Sequence, residues 1–295
     1  MSASVFTPKQ IAQALGVSES SVKRWVDSGR LKAARTAGGH RKVPLPSIVE
    51  FVRHTGHDLT RPEVLGMTVA TQRGTLEDAR EPLYKSLIKG DEAGCREMVL
   101  SWYQQGESIT RISDRLISPV FRRVGEDWET GVIQVHQERL SCEVMMATLH
   151  ELRRWLPVPP ENAPLALTAT PLADFAEVPI RMVELMLISE GWKVRQAGSG
   201  LPLDQILESV VFHKPRLICL SVTHLQDATG FADRYFNELV GPTRKELGAS
   251  DNGGPSHVIG GGALDDICHD LQCELYASRL ADLREYQETI YRQVA

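Results

Sequence analysis

Apolar positions change their period three times along the chain. Near the amino end, Ile11, Ala12 and Leu15 fall on one helical face behind Thr7-Pro8. Val22 with Trp25 or Val26 repeats the spacing after Gly16 and Ser18. Thr and Ser cap helix starts, Pro suits a first helical position and Gly permits a tight turn, so two short helices joined by a turn are predicted. After Gly29, "LKAARTAGGHRKV" predicts a β-ribbon closed by Gly38-Gly39. From Leu76 to Trp155 the period is helical again. Leu83 and Leu87, then Met98 and Trp102, then Ile109, Ile112, Leu116, Val120 and Val124 lie three and four apart, broken at Gly90, Gly106 and Gly131. This pattern predicts four antiparallel helices of about 14 to 22 residues in a bundle.

The proline-rich stretch "LPVPPENAP", 156–164, stops that pattern. Beyond it strands and helices alternate. The strands are "LALTAT", "WKVRQA", "RLICLSV" and "SHVIGGG", with helices near "RMVELMLISEG", "LDQILESVVF", "ADRYFNELV" and the chain end. The Gly-Ser-Gly at 198–200 reads as the turn after the second strand. Alternation of this kind predicts a doubly wound parallel sheet of flavodoxin type. The fold class is therefore α and α/β multidomain, with 1–57 the first domain, 58–75 a linker of no sustained period that leaves the domains free to reorient, 76–155 the bundle and 164–295 the α/β domain.

At 295 residues, 42% apolar and 24% charged, the composition is that of an ordinary globular protein. The absence of an apolar run of 18 residues and of a signal-type amino terminus leads us to expect a cytoplasmic protein with no membrane partner. The five scattered cysteines imply no disulfide framework. Charge changes the picture more. Residues 1–57 hold nine Lys/Arg against three acids, a balance of +6, and since the whole chain is −5 the other 238 residues carry −11. A small basic module on an acidic body points to a polyanion bound at one end only.

On the second helix, Glu19, Ser20, Ser21, Lys23 and Arg24 lie opposite the apolar face, as on a recognition helix in a major groove of double-stranded DNA. The ribbon carries Arg35, His40, Arg41 and Lys42, which suits adjacent phosphates. Here "VKRW" and "RTAGGHR" resemble the helix and wing signatures of the MerR family of bacterial transcription regulators, over about residues 5–55. That resemblance implies promoter DNA as partner and, because half-sites match protein symmetry, an even-numbered homo-oligomer, a dimer or tetramer.

The bundle followed by the α/β unit resembles the cobalamin-binding module of methionine synthase, and with the basic head it resembles the LitR/CarH group of light-responsive repressors over nearly the whole chain. In that group a D-x-H-x-x-G loop after the first strand gives cobalt its lower His ligand. Aligned on flanking strand and helix, the loop here reads Asp174-Phe175-Ala176-Glu177-Val178-Pro179. Asp174 is kept, Ala176 stands for the His and Pro179 for the glycine. Alanine has no lone pair for a metal, and proline stiffens the chain. Ser221-Val222-Thr223 and Gly260-Gly261-Gly262 match the segments that accept the cofactor's nucleotide tail, although strand ends and sharp turns require such residues too. The Trp and Glu-His that cover the upper face in the group correspond to Trp128 with Glu138-Arg139, and Trp128 also reads as a core or interface residue.

Two metal-like patterns, Cys268 to Cys273 and His54-x-x-His57, lack a second donor pair and read as buried thiols and a plain linker. No nucleophile elbow or phosphate loop is present, so no enzyme is expected. Three readings follow. The first is a repressor of light-inducible genes that has lost cobalamin and answers to a protein, such as a blue-light LOV flavoprotein. The second is a repressor that still binds adenosylcobalamin in a His-less pocket, and the third is a cobalamin-carrier enzyme subunit.

Overall fold

The computed structural model describes residues 4–35, 40–67, 74–225, 227–250 and 253–294. They form two compact units, one of residues 1–108 with 115–157 and one of residues 109–114 with 158–295.

The first unit opens with β1 (Val5–Phe6) and α1 (Pro8–Leu15). Thr7 and Gln10 cap α1 reciprocally, Gln10 N donating to Thr7 Oγ1 at 3.3 Å and Thr7 N to Gln10 Oε1 at 3.0 Å. Gly16, at φ 65°, ends it in the left-handed region that a side chain would resist. Ser18 caps α2 (Glu19–Asp27), which buries Val22 and Trp25. Then β2 (Ala34–Arg35) and β3 (Arg41–Pro44) form the ribbon, and β3 pairs on its other side with β1, all antiparallel. The Gly38-Gly39 turn lies outside the described residues.

A third helix absent from the sequence reading, α3 (Leu45–Thr55), buries Ile48, Val49, Phe51 and Val52. The stretch assigned to a linker is also partly structured. Residues Pro62–Leu65 make a 3-10 turn, and Arg61 N and Thr60 Oγ1 both donate to Ala14 O, at 3.0 and 3.2 Å. Leu65 and Met67 are buried. Residues 68–73 of that stretch lie outside the described residues.

The bundle helices are α4 (Arg80–Lys89) and α5 (Glu92–Gln104), then, after α6 (Ile109–Ile112), which the pattern assigns to the bundle but which belongs to the second unit, α7 (Ser118–Glu129) and α8 (Val135–Trp155). One π turn, Ser113–Ile117, joins α6 to α7. Pro119 accounts for it. Proline has no N–H for the carbonyl four residues back, and its ring crowds that carbonyl. Arg115 O accepts from Arg80 Nε at 2.7 Å instead. Of the apolar positions at three-four spacing, Leu83, Leu87, Trp102, Ile109, Ile112, Leu116, Val120 and Val124 are buried and Met98 is half-buried.

In the second unit five parallel strands, β4 (Leu165–Pro171), β5 (Lys193–Leu201), β6 (Leu217–Ser221), β7 (Ser256–Gly260) and β8 (Leu275–Ala277), lie in the order β5-β4-β6-β7-β8. This is the flavodoxin-type order expected. The crossovers carry α9 (Glu177–Ser189), α10 (Leu203–His213), and α11 (Ala228–Arg234) running through a π turn into α12 (Gly241–Leu247). The last helix, α13 (Leu280–Val294), receives its cap from Asp114, whose carboxylate accepts from Leu280 N and Ala281 N at 3.0 Å each.

Two expectations are corrected here. Gly198-Ser199-Gly200 is not a turn but part of β5, where the register with β4 shifts between Thr168 and Pro171, and Gly200 takes φ 66°. Trp128 is not core, being 43% exposed at the end of α7.

Candidate nucleic-acid interface and ligand loop

The basic head presents an open groove of about 460 Å³ lined by Lys9 of α1, Glu19 and Lys23 of α2, and His40, Arg41 and Lys42 of the wing. The local sequence explains why they meet. The caps at Thr7 and Ser18 fix the starts of α1 and α2, and β3 places Arg41 and Lys42 at adjacent positions of the central strand. Lys23 and Arg24 are exposed on α2, and Ser20 and Ser21 turn toward the cap, with Ser18 Oγ 2.8 and 2.9 Å from their hydroxyls. Arg35 is placed by its backbone in β2, opposite Arg41.

The groove is basic but not bare of acids. Lys23 Nζ lies 2.8 Å from Glu19, and Arg41 Nη2 lies 2.6 Å from Asp27 Oδ1. The Lys23 ammonium holds the Glu19 carboxyl below its ordinary range. Lys9 was missed from the sequence, although it stands just off the apolar stripe of α1, where an outward cation would be sought.

Of the two histidines of the H-x-x-H pattern, His54 is exposed on α3 and only His57 packs on the core of the head. His54 Nδ1 meets Glu50 O at 2.7 Å, and His57 packs on Trp25 and Phe51 with ring centroids 5.0 and 5.4 Å apart. Cys268 and Cys273 are half-buried rather than buried, and no group of three His, Cys, Asp or Glu among the described residues could hold a metal.

In the second unit the loop after β4 is tied through Asp174 to the segment that follows β6. Asp174 is 1% exposed. Its carboxylate accepts from Thr223 N, from Thr223 Oγ1 at 3.0 Å, from His224 N at 3.3 Å and from Ala176 N at 3.0 Å. Buried carboxylates are tolerated when so satisfied. His224 was not singled out from the sequence. Ala176 is the N-cap residue of α9, and Pro179 falls inside its first turn rather than in the loop, where the missing N–H costs nothing. Ser221 is buried at the end of β6. A side chain at Gly260 would strike Ala277 O, and one at Gly261 would strike Val222 O, so close backbone packing by itself requires both glycines. In the first unit, Arg139 is exposed and ion-paired with Glu138 at 3.3 Å, and Glu138 accepts from Cys142 Sγ at 3.3 Å.

Comparison with known proteins agrees with this architecture. Residues 5–55 match the helix-turn-helix domain family and residues 79–153 the B12 binding domain family. The HTH-type transcriptional repressor CarA of Myxococcus xanthus is 24% identical over 236 residues, 76% of this chain and 78% of that protein. Monomethylamine corrinoid protein 2 of Methanosarcina acetivorans is 23% identical over 143 residues, 48% of this chain and 66% of that one. Among solved structures, the Methanosarcina barkeri monomethylamine corrinoid protein superposes with a TM-score of 0.58 at 19% identity, over 73% of this chain and 100% of that chain, a likeness of fold. The chain therefore joins a helix-turn-helix region to a B12-binding-type helical region and a five-stranded parallel α/β sheet.

Cobalamin is the group this architecture implies, and the loop does not fit it in the His-ligated form. Ala176 offers a methyl group, and both oxygens of Asp174 are already engaged by Thr223, His224 and Ala176. A carboxylate so committed has little capacity left to orient an imidazole.

Proposed function

We propose that the protein is a DNA-binding transcription regulator, a repressor, that works without a cobalamin of its own and is switched by a partner protein. The observation that carries the DNA-binding half is the groove in which Lys9, Lys23, His40, Arg41 and Lys42 converge beside an N-capped, exposed helix. The helix-turn-helix match over the same residues and the likeness to a transcriptional repressor support it. Cations along a ribbon supply salt-dependent affinity for phosphates, and the outward face of α2 supplies choice of sequence.

Independence from cobalamin rests on the self-satisfied Asp174 loop. A second reading, an adenosylcobalamin-binding repressor, is favoured by the B12 binding domain match at 79–153. Likeness to corrinoid proteins is also what a carrier subunit would show, but such a subunit has no use for a basic winged head.

Fluorescence anisotropy with the promoter DNA upstream of the protein's own gene tests the first half. Tight binding that weakens as salt rises, and a changed sequence preference after Arg24→Ala, are expected. Replacing Lys9, Arg24 and Lys42 together without effect would refute the interface. Absorbance spectra after incubation with adenosylcobalamin and gel filtration test the second half, with no retained corrinoid band expected. A stoichiometric, light-sensitive band would establish the second reading.

A further inference from the structure

Arg41 lies in the groove, yet its guanidinium is turned away from the role its charge suggests. Its Nη2 is 2.6 Å from Asp27 Oδ1, its side chain is 29% exposed, and its Nε is buried. Asp27 is the last residue of α2, where the helix dipole places partial negative charge and a carboxylate is unfavourable. An acid at that end, in a module meant for phosphates, raises the cost of both folding and binding unless it has a structural task. The geometry supplies one. Arg41 is the wing-end residue of β3, the strand that pairs with both β2 and β1, so the ion pair ties the exit of α2 to the central strand of the ribbon.

Resting on the DNA-binding reading above, we infer that Arg41 and Asp27 are positioning residues. Their pair sets the wing against α2, so that Lys42 and His40 on the ribbon and Lys23 and Arg24 on the helix meet one stretch of duplex together. Arg41 does not itself neutralise a phosphate. The pair is a surface one and worth little in global stability. Its effect falls on the relative placement of two elements that must reach DNA at once.

The test compares full-length wild type with Arg41→Ala, Asp27→Asn, the double variant Arg41→Ala/Asp27→Asn, Lys42→Ala, Arg41→Asp and the exchanged pair Asp27→Arg/Arg41→Asp, each first checked for folding by circular dichroism. Operator affinity is measured from 50 to 200 mM salt. A side chain that neutralises one phosphate contributes about 0.9 to the slope of log affinity against log salt. Lys42→Ala is expected to lower that slope by about this amount. Arg41→Ala and Asp27→Asn are each expected to weaken binding on the order of tenfold with the slope unchanged, the double variant being no worse than either single one. The exchanged pair is expected to recover most of what Arg41→Asp loses. A second arm needs no DNA. Amide hydrogen exchange at Val43 and Lys42 should quicken in Arg41→Ala and Asp27→Asn and return in the exchanged pair.

Three results would overturn the inference: tighter binding by Asp27→Asn, a slope lowered by Arg41→Ala as much as by Lys42→Ala, or no recovery in the exchanged pair. If wild type binds no DNA at any salt, the DNA-binding reading falls, while the exchange arm still decides whether the pair holds the wing.

Discussion

His257 of β7 is the residue whose burial has the clearest consequence for stability. It is fully buried and neither ring nitrogen has a hydrogen-bond partner among the described residues. Tyr235 packs against it edge-on at 6.3 Å, and Glu274 and Arg244 are the charges beside it. Burial pushes its pKa down to about 4. Burial raises Glu274, but the bond from His257 N and the Arg244 guanidinium outweigh it and hold Glu274 below the carboxylate range. Between about pH 6.5 and 4 the unfolded chain therefore binds a proton at His257 that the folded chain refuses. Stability should fall as pH drops through that window, by up to roughly 1.4 kcal/mol per pH unit for this one group, with Glu274 adding a loss of the same sign as it protonates. Urea denaturation at pH 7, 6, 5 and 4.5 measures it. His257→Asn should flatten the slope, and an unchanged slope would place the titration elsewhere.

The residues that could be read from sequence were those whose chemistry is local. Caps at Thr7 and Ser18, and the outward placement of Lys23 and Arg24, follow from neighbours within four positions. Asp174 was legible as a kept residue but not in its task, because Thr223 and His224 stand 49 and 50 positions away. Asp27 escaped for the same reason, its partner Arg41 lying 14 positions on across a ribbon.

Among the elements, the segments of sustained period form as the pattern predicts, while part of the punctuation between them differs. The proline-rich stretch 156–164 reads as a stop and Pro8 as a helix start, but Pro46 and Pro119 carry no such signal in the sequence: Pro46 occupies the first turn of α3, and Pro119 is absorbed by a π turn whose displaced carbonyl is taken by Arg80. Gly16 ends a helix as its sequence predicts, whereas the Gly-Ser-Gly that reads as a turn puts Gly198 and Gly200 inside β5 at a register shift. The stretch after α3 reads as free linker in sequence, yet it folds back on α1, and α3 itself is fastened to α5. Arg53, in the last turn of α3, lies over the Tyr103 ring at 3.9 Å and donates to the carbonyls of Tyr103, Gly106 and Glu107 at the end of α5. A guanidinium there satisfies carbonyls that the helix leaves open and meets the negative end of its dipole. Arg154 of α8 reaches Ser4 at 3.0 Å. Arg53→Ala should cost about 1 to 3 kcal/mol, and Arg53→Lys should recover only part, since an ammonium cannot both stack and fork. Thermal unfolding followed at Tyr and Trp fluorescence reads the loss. Unaltered unfolding of Arg53→Ala would show that the head stands apart from α5.

At the scale of the whole molecule, the +6 of the first 57 residues against −11 elsewhere divides the labour, polyanion at one end and some other input at the other. A regulator needs an input that binds its two states unequally. With the Asp174 carboxylate engaged by Thr223 and His224, that loop supplies no lower cobalt ligand, and under the function proposed above the input is a protein contact. The resemblance to light-responsive repressors makes a blue-light flavoprotein of the LOV type, encoded near this protein's gene, the partner to try first. To shift an operator complex from almost fully bound to almost fully released, that partner must prefer the released state by about 5.5 kcal/mol, or roughly 10⁴-fold. Its affinity for the free repressor in blue light should therefore exceed its affinity for the DNA complex by a comparable factor, which calorimetry on both would show. Light scattering should find the repressor itself as an even-numbered oligomer, matching paired half-sites. In the decisive assay, operator release is followed in dark and blue light with repressor alone, with flavoprotein, and with adenosylcobalamin. Release is expected only with flavoprotein and light together. Release by light with adenosylcobalamin alone would return the switch to the corrinoid, and release by no combination would rule out light as the input.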